Sequence, residues 1–323
     1  MRMPPFRTHW PESIDEACDL ARGFVESGTT FDWVAGGTDL LANYKWHLEV
    51  KPHVISLARI PGLDLIDSHE IGAMARLEDL VHDDRVHPLI AQAAGTIASS
   101  LIRRNATLGG NLCLDTRCFW YNQSEEWRMS IDYCHKADCG TGADCRVIPN
   151  QNTLCVATYQ GDLAPNLMVL EAEVHLIGPN GPRSMPLSEF YALDGITRNV
   201  LAEGEFLLRV TLPESAAHRV GAYRKLRMRE SWDFPEAGIA ASWVPGDDAS
   251  LRVASTALES IPRDHAEQVA AHHATWRAAP LALGQAVQKA VKPVNNTAMP
   301  PRYRRSMVSV LTRRALTDLE GGV

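Results

Sequence analysis

The feature that most constrains this chain is a polar segment, residues 118–155, that holds five of its seven cysteines. The segment has neither helical nor strand periodicity, and a loop of this length inside a compact domain needs a source of order. A bound metal is such a source, because the free energy of ligation can hold a segment that has no core of its own. The sequence therefore predicts a metal site. Its thiols lie at Cys118, Cys134, Cys139, Cys145 and Cys155.

The spacing of these cysteines leaves the kind of metal open. No Cys-x-x-Cys pair occurs in the segment, so common zinc ribbons and knuckles fit badly. Four thiolates this far apart suit either a cubane iron–sulfur cluster or an irregular Cys₄ zinc site. Five thiols compete for four positions, and Cys139 can replace Cys134 or Cys145. Cys113, just before the segment, is expected to pack beside a cofactor.

Composition limits the partners and the compartment. A chain of 323 residues that is 45% hydrophobic can bury the cores of two or three domains. Its formal charge of −7 argues against binding to nucleic acid or to an anionic membrane surface. No apolar run reaches the roughly 18 residues of a membrane span, and the N-terminus lacks the apolar region of a signal peptide. We therefore expect a cytoplasmic protein with reduced thiols.

Two glycine turns are candidate phosphate sites. Residues 35–40 place two glycines between a predicted strand and a predicted helix, where backbone amides can bind a pyrophosphate. Residues 107–111 offer a second Gly-Gly pair beside threonine and asparagine side chains. Two such loops can close on one cofactor from opposite sides. The alternative interpretation, two unrelated tight turns, stays open because neither loop has a standard dinucleotide fingerprint.

Hydrophobic periodicity divides the rest of the chain into an α/β part and a C-terminal α+β part. Ser13 is placed to cap an N-terminal helix. Residues 88–104 predict one long helix, and residues 167–170 predict a strand. An antiparallel meander is predicted over residues 223–257, and the last helix begins near Pro301.

Together these motifs resemble the FAD-binding medium subunit of the xanthine oxidase family of molybdenum hydroxylases, also found in carbon monoxide dehydrogenases. The turns at 35–39 and 107–111 look like that family's two pyrophosphate loops, and residues 161–165 look like its third cofactor segment. Residues 223–225, with 231–234, look like the C-terminal segment that lies near the flavin. The likeness covers essentially the whole chain, with the motifs in the family's order.

The cysteine segment is similar to the β subunit of 4-hydroxybenzoyl-CoA reductase, in which an additional [4Fe–4S] cluster sits in such an insertion. This resemblance implies that Cys118, Cys134, Cys145 and Cys155 are the ligands and leaves Cys139 out. The stretch between Cys134 and Cys145 is longer here than in that pattern, so the identity of the third ligand stays open.

The resemblance also implies an architecture of class α/β plus α+β. An FAD-binding domain, residues 1–217, would consist of subdomains 1–59 and 60–217, with the iron–sulfur insertion at residues 113–158. A smaller C-terminal α+β domain, with an antiparallel sheet and helices, would occupy residues 218–323.

The roles implied for single residues follow their chemistry. The glycines allow close backbone approach to the pyrophosphate, Asp162 would accept from a ribose or adenine donor, and Lys225 would place positive charge near the pyrimidine edge of the flavin. Asp233 is either a flavin-site residue or a structural turn carboxylate. The predicted FAD-binding residues are Ala35, Gly36, Gly37, Thr38, Asp39, Leu40, Thr107, Gly109, Gly110, Asn111, Asp162, Lys225 and Asp233.

The implied function is electron transfer within an oxidoreductase. Electrons would pass between a ferredoxin-like carrier, the [4Fe–4S] cluster, FAD and the [2Fe–2S] centres of a small partner subunit. A large partner would hold the molybdenum cofactor in a dimer of heterotrimers, so this chain alone would not turn over the organic substrate. The holoenzyme would reductively dehydroxylate an aromatic acyl-CoA. Two alternatives remain: a hydroxylase subunit passing electrons outward from an aromatic, heterocyclic or steroid substrate, and a zinc-stapled scaffold.

Overall fold

A computed structural model describes residues 2–136, 144–150 and 154–321. Its N-terminal part is a small α/β unit on a parallel three-stranded sheet of order β1-β3-β2. Ser13 caps the first helix as predicted, because its side chain accepts a hydrogen bond from the Glu16 N–H at 3.1 Å. The elements are β1 (Arg7–His9), α1 (Ile14–Glu26), β2 (Phe31–Val34), α2 (Leu40–Lys45) and β3 (His53–Ser56).

The middle of the chain combines short helices with an antiparallel four-stranded sheet of order β4-β7-β5-β6. Its apolar core continues from this sheet into the helices. The elements are β4 (Glu70–Gly72), α3 (Leu77–His82), α4 (Pro88–Gly95), α5 (Ser100–Arg103), α6 (Leu108–Leu112), α7 (Glu125–Ser130), α8 (Leu163–Val169), β5 (Glu173–Ile177), β6 (Arg183–Pro186) and β7 (Phe206–Thr211).

The C-terminal part is a second antiparallel sheet, of order β11-β10-β9-β8, packed against helices. The predicted meander and the helix beginning at Pro301 are both present. The elements are β8 (Val220–Leu226), β9 (Ala237–Val244), β10 (Asp247–Thr256), β11 (Arg263–Asp264), α9 (Ala266–Ala270), α10 (Pro280–Ala290) and α11 (Pro301–Gly321).

Strand β9 is buried on both faces, which joins the two halves of the chain. Ile239 and Ala241 belong to the apolar core beneath α11, whereas Ala240 belongs to the core of the middle part of the chain. Successive side chains of a strand point to opposite faces, so the strand alternates between the two cores. The fold class predicted from the sequence is confirmed, while the domain boundaries stay a prediction.

Two predictions of local structure were wrong. The single helix predicted for residues 88–104 is two helices, α4 and α5, because Ala98 takes a backbone φ of +46° that a helix does not allow. Residues 167–170, predicted as a strand, lie in and just after α8. Within the part of the chain that the structure describes, no helix is long and apolar enough to cross a membrane.

Because His265 is buried, we expect the C-terminal sheet to lose stability in acid. Its Nε2 lies 2.9 Å from Ser255 Oγ, and burial lowers the pKa of the imidazole from 6.5 to about 4. The unfolded chain therefore binds a proton that the folded chain does not, and stability falls as the pH drops from 6.5 towards 4. We expect this group to remove about 2–3 kcal/mol of unfolding free energy by pH 4.5.

Urea unfolding at pH 7 and pH 4.5 measures this loss. The control is His265→Gln, which cannot titrate in that range, so its unfolding free energy should decrease less between the two pH values. Equal pH dependence in the two proteins would contradict the assignment.

Candidate functional site

The two glycine turns lie on the same cavity, which has a volume of about 600 Å³. Ten of the thirteen predicted FAD-binding residues line it, so distant parts of the sequence converge on one place. Further lining comes from β2, from the Ile97–Ala98 break between α4 and α5, and from Trp232 and Phe234. The ten are Ala35, Gly36, Gly37, Thr38, Asp39, Leu40, Thr107, Gly109, Gly110 and Asn111.

Close contact with neighbouring backbone explains why Gly36 and Gly109 carry no side chain. A Cβ on Gly36 would lie 1.6 Å from the Asn105 carbonyl oxygen, and a Cβ on Gly109 would lie 2.9 Å from the Ala73 carbonyl oxygen. Gly37 adopts a φ of +69°, which glycine takes readily and other residues rarely. The first turn is therefore packed directly against the chain that leads into the second.

Gly110 is open, in contrast. Among the described residues, the nearest atom that a Cβ there would meet is Thr107 Oγ1, at 3.2 Å. Since Gly110 lines the cavity, its backbone can be approached closely by a ligand. The low side-chain bulk at Gly110 suits close approach by the pyrophosphate of a dinucleotide, while the Gly110 N–H itself is held within the protein.

Side chains of the second turn hold the turn itself. Thr107 Oγ1 accepts from the Gly110 N–H at 3.1 Å, and Asn111 Oδ1 accepts from the Leu163 N–H at 3.0 Å. Asp39 of the first turn forms an ion pair with Arg117, whose guanidinium lies 4.3 Å from the centroid of the Phe234 ring. The ion pair thus ties the first turn to the residue just before the cysteine segment.

Three predicted FAD-binding residues lie outside the lining of this cavity. Asp162 is buried, accepts from Tyr223 Oη at 2.8 Å and pairs with Lys225 Nζ at 3.1 Å. Lys225 Nζ also donates to the Thr96 carbonyl at 3.1 Å. Burial raises the pKa of Asp162 and lowers the pKa of Lys225, and each charge opposes its partner's shift.

Asp233, the third, hydrogen-bonds to Arg229, and this contact lowers the pKa of its carboxyl group. Contact of these three residues with the cofactor stays a prediction. Cys113 does line the cavity, and burial raises the pKa of its thiol to about 12, so the thiol is neutral and unreactive.

The four predicted metal ligands line a second, small cavity of about 20 Å³. Cys118, Cys134, Cys145 and Cys155 are all buried. Burial raises the pKa of Cys118 to about 12 and that of Cys155 to about 11. Among the described residues, no three His, Cys, Asp or Glu side chains form a group that could hold a metal ion. Cys139 lies outside the described residues.

The donor chemistry of this second cavity fits an iron–sulfur cluster. The four cysteines that line this cavity do not gather around a single ion, so the fit is one of donor type: thiolates select zinc or iron–sulfur centres. His135 also lines the cavity, and its buried Nε2 has no hydrogen-bond partner among the residues that the structure describes. A buried polar nitrogen without a partner is unfavourable unless a ligand supplies one, and the sulfur atoms of a cluster accept hydrogen bonds.

The wall between the two cavities contains residues that the sequence did not single out as functional. Tyr121 is fully buried and lines both cavities. Lys136 Nζ lies 4.2 Å from the centroid of the Tyr121 ring and pairs with Asp115 at 2.7 Å. Burial acts to raise the pKa of Asp115, but the charges of Lys136 and Arg198 outweigh it and hold that pKa below its usual value. The sequence offered one signal for these wall residues: Tyr121 and Lys136 lie close in sequence to predicted ligands.

The cysteine segment is anchored by Arg128 to the chain that directly follows α2. Its guanidinium is fully buried and donates to the carbonyls of Trp46 at 3.0 Å, His47 at 2.9 Å and Gln123 at 2.6 Å. His47 also pairs with Glu125 at 2.5 Å, and this hydrogen bond raises the pKa of His47.

Comparison with known proteins agrees with this geometry. Residues 4–215 match the family described as the FAD binding domain in molybdopterin dehydrogenase. The aldehyde oxidoreductase FAD-binding subunit of Escherichia coli (strain K12) is 33% identical over 242 residues, which cover 69% of this chain and 73% of that subunit. The carbon monoxide dehydrogenase medium chain of Hydrogenophaga pseudoflava is 27% identical over 325 residues, covering 97% and 96%.

A solved structure supports the fold over its whole length. Carbon monoxide dehydrogenase from Hydrogenophaga pseudoflava, in a form lacking the Mo-pyranopterin moiety, superposes with a TM-score of 0.78 at 24% identity and covers 99% of both chains. The family match covers more than half of this chain. The chain belongs to the FAD-binding medium subunits of the xanthine oxidase and carbon monoxide dehydrogenase family, and it is an oxidoreductase subunit.

Proposed function

We propose that this chain conducts electrons between a [4Fe–4S] cluster, held by Cys118, Cys134, Cys145 and Cys155, and FAD in the larger cavity. The observation that carries the proposal is the shared wall: Tyr121 lines both the four-cysteine cavity and the glycine-loop cavity. Two redox sites that share a wall are suited to electron transfer between them.

The residues of the chain bind and orient the two groups. FAD, when bound, exchanges electrons in ones or in pairs, whereas an iron–sulfur cluster exchanges single electrons. Gly36, Gly37, Gly109 and Gly110 would let the pyrophosphate approach the backbone. The buried cysteines would exclude water from the cluster, and Arg128 would keep their segment in place.

The partners in this proposal are other subunits. A large subunit would hold the molybdenum cofactor and a small subunit the [2Fe–2S] centres, in a dimer of heterotrimers, with a ferredoxin-like protein as external carrier. The name of the carbon monoxide dehydrogenase medium chain supports such an assembly. We expect no turnover of an organic substrate by this chain alone.

The direction of electron flow has two candidates. The resemblance of the cysteine segment to 4-hydroxybenzoyl-CoA reductase favours inward flow and reductive dehydroxylation of an aromatic acyl-CoA. The outward alternative is favoured by the 33% identity to an aldehyde oxidoreductase subunit and the 27% identity to a carbon monoxide dehydrogenase chain. Reduction of the holoenzyme's flavin by an aldehyde, in the absence of any donor protein, would support outward flow. Its reduction only by a ferredoxin-like donor would support inward flow.

Replacing any one ligand cysteine tests the cluster. We expect Cys118→Ser or Cys155→Ser to lose most of the iron and the EPR signal of the dithionite-reduced protein while retaining FAD, since cluster and flavin occupy separate cavities. Iron, acid-labile sulfide, zinc and flavin are quantified on the same sample of each variant.

The controls are cysteines outside the proposed ligand set. Cys18→Ala, in the buried face of α1, and Cys139→Ser should keep wild-type iron. Zinc without iron in the wild-type protein would support the scaffold alternative and reject the cluster. Iron loss in Cys139→Ser with full iron in Cys134→Ser or Cys145→Ser would move that ligand position to Cys139.

A further inference from the structure

Lys136 is a buried cation in the wall between the two cavities. Its side chain is only 2% exposed, and Nζ is held by Asp115 Oδ1 at 2.7 Å, the Thr116 carbonyl at 2.9 Å and Thr116 Oγ1 at 2.6 Å. Three short contacts fix an ammonium group that burial would otherwise disfavour.

The charges of this wall are unequally distributed. Lys136 lines the four-cysteine cavity, whereas its partner Asp115 lines the FAD cavity. Arg198 also lines the FAD cavity and lies 3.4 Å from Asp115. Lys136, Arg198 and Asp115 together carry one net positive charge, and Lys136 is the member of the three that lines the four-cysteine cavity. Tyr121, beneath the ammonium group, separates the two spaces.

We propose that Lys136 raises the reduction potential of the cluster and so favours the presence of an electron on the cluster over its presence on the flavin. The inference rests on the proposed function, because it needs a cluster at the four cysteines. Lys136 is a positioning residue: it binds no electron and touches no substrate.

Electrostatics gives the direction and size of the change that Lys136 makes to the reduction potential of the cluster. Reduction adds one negative charge to the cluster and forms no bond to the protein, and a nearby fixed positive charge stabilises the reduced form. At an effective dielectric constant of about 20, one unit charge about 12 Å from a redox centre changes its equilibrium by about tenfold. For a one-electron couple, a tenfold change corresponds to about 59 mV.

The test is an EPR-monitored redox titration of the full chain with dithionite, with iron and FAD quantified. We expect Lys136→Met to lower the cluster potential by an amount equivalent to about tenfold, about 59 mV. Lys136→Arg should keep a potential near that of the wild type. The control, Lys289→Met, removes the same charge from the exposed surface of α10 and should leave the potential unchanged.

A second variant, expected to shift the cluster potential in the opposite direction, keeps the test decisive if Lys136→Met cannot hold its cluster. Asp115→Asn removes the negative partner and leaves the lysine, so the cluster potential should rise. An unchanged potential in an iron-replete Lys136→Met, or in Asp115→Asn, would overturn the inference and leave the proposed function standing. Absence of a cluster from the wild-type chain would instead overturn the proposed function, and this inference with it.

Discussion

Gly36→Ala is expected to abolish flavin retention and to destabilise the protein by about 3 kcal/mol or more. The new Cβ would lie 1.6 Å from the Asn105 carbonyl oxygen, so the first glycine turn must move away from the chain that leads into the second. Overpacking costs roughly 1–3 kcal/mol even where side chains can adjust, and here the obstacle is backbone. Flavin content and urea unfolding of the purified chain measure both effects.

The matched control is Gly23→Ala. Gly23 lies within α1, and a Cβ there would meet nothing within 4 Å. Because alanine is favoured over glycine in a helix by roughly 0.5–1 kcal/mol, this variant should be slightly stabilised and keep its flavin. A Gly36→Ala protein with wild-type flavin content and stability would show that the two turns do not need this contact.

Asp162→Ala is expected to lower the unfolding free energy by about 3–5 kcal/mol, because it leaves the Lys225 ammonium group buried without its counter-ion. It also removes the acceptor of the Tyr223 hydroxyl. The pair joins α8 to β8, so the loss should appear as weakened packing between the FAD-domain region and the C-terminal sheet. Denaturant unfolding monitored by tryptophan fluorescence measures it.

A neighbouring pair on the same strand provides the comparison. Arg224 makes a two-hydrogen-bond contact with Asp318 at the surface, with side chains 48% and 33% exposed. Asp318→Ala should therefore cost only about 0–1 kcal/mol. Asp162→Asn combined with Lys225→Met should recover part of the loss, since no charge remains buried alone. Equal costs for Asp162→Ala and Asp318→Ala would contradict a special role for the buried pair.

Features encoded by local sequence were predictable. The glycine turns, the Ser13 cap and the helix beginning at Pro301 each depend on residues within a few positions, and the structure has all three. The four cysteines lie around one cavity, although their sequence separation gave no geometry.

Features imposed by distant residues were not predictable from the pattern. Ala98 has no local signal for its positive φ; its carbonyl accepts from the Trp232 N–H at 3.0 Å. The preceding Thr96 carbonyl accepts from Lys225 and Arg227 of the C-terminal region. Helix α8 was taken for a strand because it is buried nearly all round, so its apolar residues form a run instead of a helical stripe.

The anchoring of the cysteine segment through Arg128 limits how this segment can be transplanted. Its guanidinium supplies hydrogen-bond donors to the carbonyls of Trp46 and His47, which lie outside the segment. Deleting residues 113–158 would leave those carbonyls to find other donors, and moving the segment into a related chain would require a matching backbone after the second helix. An engineered graft should therefore carry Trp46 and His47 together with the cysteine segment.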